Sequence, residues 1–133
     1  MLNVRRMIIL MLMVLFIAGS AAFAEGQSGS SNQTLHKTVK IDGLDIFYRE
    51  AGPKDAPTIV LLHGFPTSSH MFRNLIPELS DKYHVIAPDY PGYGFSSMPS
   101  VDEFDYTFDN LAVVVEKFIN KMKGAGIVCG IHY

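Results

Sequence analysis

The chain holds a single cysteine, Cys129, which excludes an intramolecular disulfide and any multi-cysteine metal site. No cluster of Lys and Arg occurs after residue 24, so the electrostatic footprint of a nucleic-acid or anionic-surface binder is missing. Internal repeats, coiled-coil heptads and low-complexity tracts are also missing. His36, His70 and His84 fall on three different predicted elements, with no two at ligand-like spacing on one, so no metal site is expected. With 133 residues and a net charge of −2, the chain has room for one domain at most.

Only one long apolar run is present, Met7 to Ala18. It is shorter than the roughly 20 apolar residues a spanning helix needs. Arg5 and Arg6 precede it, and Ala22-Phe23-Ala24 follows with small residues at the A-x-A positions. This pattern predicts a signal peptide over 1–24, cleaved after Ala24, and a secreted or periplasmic mature chain with no membrane attachment. Residues 25–34, rich in Gly, Ser, Asn and Gln, read as a flexible leader, and 35–133 as the folded, partial domain.

Leu35, Lys37, Val39 and Ile41 alternate with polar residues, and Leu44, Ile46 and Tyr48 do so beyond Asp42-Gly43. Alternation on both sides of Asp-Gly predicts a β-hairpin over 35–50. Thr58-Ile59-Val60-Leu61-Leu62 and Tyr83-His84-Val85-Ile86-Ala87 are continuous apolar stretches, as expected of strands buried on both faces of a parallel sheet. Between them Met71, Phe72, Leu75, Ile76 and Leu79 recur at helical spacing behind the capping candidates Thr67 and Ser68, with a break or a fresh turn expected at Pro77. A second helix is expected from Thr107 to about Lys123, with Leu111, Val114, Val115, Phe118 and Met122 as one apolar stripe and Lys121 and Lys123 complementing its dipole. Ile127-Val128-Cys129 opens a further strand. Strands alternating with helices define an α/β fold with a mostly parallel sheet.

Two segments carry the chemistry. His63-Gly64-Phe65-Pro66 follows a buried strand directly, where ligands bind in open α/β sheets. Gly64 allows close backbone approach, Pro66 stiffens the turn and permits a cis bond, and the Phe65 N–H is a candidate donor to a developing oxyanion. Asp89-Tyr90-Pro91-Gly92-Tyr93-Gly94-Phe95-Ser96 leaves the next strand. Gly92 and Gly94 permit a tight loop, and Asp89 and Ser96 are expected to bond its backbone. Tyr90, Tyr93, Phe95 and Phe104 are candidates for a cleft wall or for packing. Asp102, Glu103, Asp105 and Asp109 read as a solvated acidic face.

A strand ending in H-G-x-P, a helix, a strand ending in P-D, and a D-x-x-G-x-G-x-S loop together resemble the α/β-hydrolase fold, most of all its epoxide hydrolase and haloalkane dehalogenase branch. The resemblance covers residues 35–123. It implies the N-terminal half of an eight-stranded hydrolase sheet and a small, apolar substrate of ester or epoxide type, with no metal or organic cofactor. Some dehalogenases of this branch place Asn after His-Gly to hold a halide. Phe65 stands there in this chain, which favours the epoxide or ester reading.

The resemblance further implies a nucleophile on a sharp turn after the fifth strand, then an acid and a histidine base, all expected beyond the point where this chain stops. The chain is thus expected to be truncated and inactive alone, with a binding module or a non-functional fragment as alternatives. Cys129 with His132 is a poor substitute, because β-branched Ile127 and Ile131 occupy positions where a nucleophile turn needs small residues. His63 is expected to be a packed histidine rather than a base. Residues 126–130, written GGC ATT GTA TGT GGN, read Ala-Leu-Tyr-Val from the second base. A frameshift with an early stop is therefore a further expectation, to be decided by the downstream DNA.

Overall fold

The computed structural model describes residues 33–122 and the backbone of 127–132. The predicted signal peptide, its cleavage site and most of the leader lie outside the described residues, as does Lys123. Five strands form one sheet in the order β1-β2-β4-β3-β5. They are β1 (Leu35–Ile41), β2 (Leu44–Ala51), β3 (Thr58–Leu62), β4 (His84–Pro88) and β5 (Ile127–His132). β1 and β2 pair antiparallel, as do β2 and β4, whereas β3 runs parallel to both β4 and β5.

Asp42 (φ 50°) and Gly43 (φ 87°) close the hairpin with two successive left-handed residues. That backbone twist matches the twist of the flanking strands, and Asp-Gly tolerates it best. In the two central strands the side chains alternate between two apolar layers. Val60 of β3 and Ile86 of β4 face Ile41, Ile46 and Tyr48, together with Val114 and Phe118 of α2 (Phe108–Lys121). Leu61, Val85 and Ala87 face Phe72 and Ile76 on the opposite side. Both faces of the parallel strands are therefore covered, which is why residues 59–62 and 85–87 are apolar without a polar alternate. The Tyr48 and Phe118 rings meet edge-on at 5.4 Å, fixing α2 over the hairpin.

The first helical stretch is divided in two, and Pro77 falls in a fresh turn. It is a 3-10 turn (Ser69–Phe72) followed by α1 (Leu75–Leu79), and the discontinuity lies at Arg73-Asn74, before Pro77. Pro77 sits in the first turn of α1, where its missing N–H would have had no helical acceptor in any case. Ser68 caps the 3-10 turn by accepting from the His70 N–H. Thr107 caps α2 from the Asn110 N–H, as the sequence suggests. β5, which the run Ile127-Val128-Cys129 is expected to open, continues to His132. It carries a bulge at Cys129, which falls between the pairs Ile59–Val128 and Val60–Gly130.

A polar network is buried at the N-terminal ends of β3 and β4. Glu50 Oε1 lies 2.7 Å from His84 Nε2, and His84 Nδ1 lies 3.1 Å from Thr58 Oγ1. Lys37 donates to the other carboxylate oxygen of Glu50. A carboxylate, an imidazole and a hydroxyl stand here in the order of a hydrolase triad, but Thr58 is only 1% exposed and no substrate reaches it. The network's work is structural. Burial pushes the Glu50 carboxyl up, but hydrogen bonds from Lys37 and His84 outweigh it and hold the group below its ordinary value. A carboxyl depressed in the folded state adds stability above its unfolded pKa of about 4.3, and that stability is lost as pH falls through the folded value. Glu50→Gln should cost about 2–3 kcal/mol at neutral pH in urea unfolding. The gap from the parent chain should shrink as the pH drops below the carboxylate range. A gap of constant size across that range would contradict the account.

Candidate active site

Because β3 and β4 are parallel neighbours, their two exit loops leave the sheet at the same end. His63 joins them. It is 1% exposed, its Nδ1 lies 2.8 Å from the Gly64 carbonyl, and its Nε2 accepts the Tyr90 N–H at 3.1 Å. Accepting at Nε2 assigns the ring proton to Nδ1, which donates to Gly64. Both nitrogens are committed to backbone, and the ring packs against Tyr90 at 4.5 Å and Tyr93 at 5.4 Å. His63 is built as a strut between loops.

The Phe65–Pro66 bond is cis. The Phe65 ring is 83% exposed and meets Tyr93 edge-on. Among the described residues, the Phe65 N–H has no acceptor.

Asp89 organises the second loop and reaches beyond it. It is 1% exposed, and its two carboxylate oxygens accept from the Ser69 N–H at 2.7 Å and the Phe95 N–H at 2.9 Å. Ser96 Oγ donates to the Asp89 carbonyl at 2.7 Å and accepts the Phe47 N–H at 2.9 Å, tying the loop to β2. Bonds within the loop were expected, whereas those to Ser69 and Phe47 were not. The spacing of the glycines follows from the same packing. A Cβ on Gly94 would stand 1.9 Å from Asp89 Oδ2, and one on Gly92 would stand 2.7 Å from the Tyr106 ring.

A cavity of about 490 Å³ lies between these loops and α2. Leu62, Gly64, Phe65, Tyr90 and Tyr93 form one wall, and Leu111, Ala112, Val115 and Ile119 of α2 form the other, with Glu116 and Asn120 beside them. Burial raises the Tyr90 hydroxyl above the ordinary phenol value, so it stays a neutral donor at physiological pH. Of the four aromatic candidates, Tyr90 and Tyr93 line the cavity. Phe95 instead packs on Phe47 at 5.1 Å, and Phe104 packs on Tyr106 at 4.8 Å and against the α2 core.

The apolar stripe expected on α2 has two uses: Val114, Phe118, Ile119 and Met122 pack on the core, while Leu111, Val115 and again Ile119 along one side of it line the cavity. The acidic residues Asp102, Glu103, Asp105 and Asp109 are exposed. Glu103 caps a turn by accepting from the N–H and hydroxyl of Ser100, both at 3.0 Å, which hold its carboxyl below the ordinary value. Among the described residues no group of His, Cys, Asp and Glu is arranged to hold a metal ion. No nucleophile with a base in reach lines the cavity among those residues.

The family described as alpha/beta hydrolase fold matches residues 57–132. An uncharacterised hydrolase of Saccharomyces cerevisiae is 55% identical over 77 residues, which are 58% of this chain and 26% of that protein. The crystal structure of the haloalkane dehalogenase DbeA from Bradyrhizobium elkani superposes with a TM-score of 0.68 at 33% identity, over 75% of this chain and 33% of that one. Epoxide hydrolase A from Mycobacterium thermoresistibile gives 0.66 at 33% identity, over 75% of this chain and 31% of that one. The matches span several branches of one superfamily, and this chain covers a third or less of each of these relatives.

Gly94→Ala forces a Cβ into the Asp89 carboxylate at a backbone φ of 53° and should cost about 3 kcal/mol in urea unfolding. Gly92→Ala meets only an aromatic side chain and should cost about 1–2 kcal/mol. Equal losses, or a larger loss at Gly92, would contradict the role given to Asp89.

Proposed function

The chain belongs to the alpha/beta hydrolase fold family, and from that premise we propose that residues 58–66 build the oxyanion-stabilising half of a hydrolase site for small apolar substrates of ester or epoxide type. The observation that carries this reading is the Phe65 N–H, which lacks an acceptor among the described residues while Phe65 itself lines the cavity. A backbone N–H held by a rigid turn needs no reorganisation when negative charge develops beside it, and one such donor is worth about 10²–10³ in rate. The His63 strut, bonded to the Gly64 carbonyl and the Tyr90 amide, holds that donor between two anchored loops. Apolar walls of Leu62, Leu111, Val115 and Ile119 suit a substrate with little charge. Phe65 occupies the position at which a halide-binding Asn would favour dehalogenation, so the epoxide or ester reading stands ahead of it.

Covalent hydrolysis needs an activated nucleophile with a base in hydrogen-bond reach. None of the described cavity residues supplies that pair, and in this reading the chain does not turn over substrate by itself. We read Met7–Ala18 as an export signal cleaved after Ala24, which puts the mature chain outside the cytoplasm. An exported product whose mass begins at Glu25 supports this, and one retaining the apolar run contradicts it.

The site reading is tested by amide NMR of the mature chain with a small apolar carboxamide. The carboxamide's carbonyl mimics the oxyanion's position without needing a nucleophile. The Phe65 amide should shift downfield and saturate together with Tyr90 and Tyr93, and p-nitrophenyl ester hydrolysis should stay at the buffer rate. An unmoved Phe65 amide would overturn the oxyanion role. Ester turnover abolished by Cys129→Ala would overturn the claim of inactivity.

A further inference from the structure

Arg49 lies on β2 opposite His36 of β1, and its side chain is buried, the residue being 7% exposed. Its Nε donates to Ser69 Oγ at 3.2 Å, its Nη1 lies 2.6 Å from His36 Nε2, and its Nη2 lies 3.4 Å from His70 Nδ1. The Phe47 ring lies 5.7 Å from its Cζ. Each of these partners is a hydroxyl, an imidazole nitrogen or an aromatic face. Among the described residues no carboxylate forms an ion pair with Arg49. Buried charges are as a rule paired, so a guanidinium without a counter-ion is an exception that calls for a reason.

The other groups on this face do not neutralise it. Lys40 and Asp45 pair with each other at 2.8 Å. Arg73 adds a second cation, directed at the His70 carbonyl. The Asp89 carboxylate is engaged by the Ser69 and Phe95 amides. Ala87 of β4, opposite Arg49, is apolar. His36 and His70 are exposed, so the cluster opens to solvent on the side where the imidazoles stand.

A guanidinium has five N–H donors in a planar fork, and three of them are committed to Ser69, His36 and His70. Both imidazoles face the fork with a lone pair. Protonation of an imidazole turns its acceptor nitrogen into a donor. The Arg49 bonds to His36 and His70 would then be replaced by contacts between like charges. An oxyanion set between them accepts from the free N–H groups of the fork and from the imidazolium N–H groups together, the bidentate geometry for which Arg is suited.

We propose that Arg49, His36 and His70 form a proton-linked binding site for a small oxyanion of phosphate or carboxylate type, separate from the cavity beside Phe65. It does not rest on the hydrolase reading. Through Ser69, which bonds both Arg49 and Asp89, the same site braces the turn that anchors the second exit loop.

The test is imidazole NMR of the full chain, titrated with inorganic phosphate and separately with acetate at constant ionic strength, at about pH 5.5 and about pH 8. The His36 and His70 signals should shift saturably at the lower pH while those of His63 and His84 stay in place. Affinity should weaken about tenfold per pH unit for each linked proton. His36→Gln, at an exposed position, should fold normally, weaken binding and flatten its pH dependence. A response to phosphate alone or to acetate alone supports the site and identifies its anion. Unmoved His36 and His70 signals, equal affinity at both pH values, or unchanged binding in His36→Gln would overturn the proposal.

Discussion

The Asp89 carboxylate is the contact on which the arrangement at the sheet end depends. One oxygen accepts the first amide of the 3-10 turn, at Ser69, and the other accepts the Phe95 amide of the following loop. Bonds from backbone amides to a buried carboxylate are charge-assisted and about twice as strong as neutral ones. The two bonds hold segments 20 and 6 residues away in sequence against one strand end. Gly94 must be glycine because the carboxylate occupies the space its side chain would fill. With the loop held at Asp89, the Tyr90 amide is in place to bond His63, and the cavity walls follow.

The sheet supplies the rigid base for this arrangement. Two parallel central strands, covered on both faces, bring the H-G-x-P turn and the D-x-x-G-x-G-x-S loop to one edge. The other end of the same strands is sealed by the Glu50–His84–Thr58 network, whose groups satisfy each other away from water. The division matches the general behaviour of open α/β sheets, with ligand sites at the carboxyl ends and structural packing at the amino ends. Membership in the alpha/beta hydrolase fold family agrees with it, although the chain spans only about a quarter to a third of its relatives' length.

What the sequence made legible was local. The Asp-Gly hairpin, the two apolar central strands, the Thr107 cap and the glycine-bearing loops all follow from the backbone needs of a few adjacent residues. Of the break or fresh turn that Pro77 suggests, the structure has the fresh turn, because a helix starting at Leu75 places Pro77 in its first turn, where the missing N–H costs nothing. The polar networks were illegible beyond the hairpin. His84 meets Glu50 only because β4 lies beside β2 in the sheet, and Arg49 meets His70 only because the 3-10 turn packs beside β2, whereas Arg49 meets His36 through the hairpin register alone. Strand order is a global property, and the spacing of histidines along the chain carries no trace of it. The stripe on α2 was visible in the spacing, but which of its residues pack and which line a cavity depends on where the helix is set down.

Hydrogen exchange in the native chain tests the Asp89 clamp most directly. The Ser69 and Phe95 amides should exchange slowly, and Asp89→Ala should release both together while the Val85 amide of β4 keeps its protection. Ser69 and Phe95 amides that already exchange in the parent chain at the rate of an unstructured peptide would contradict the account.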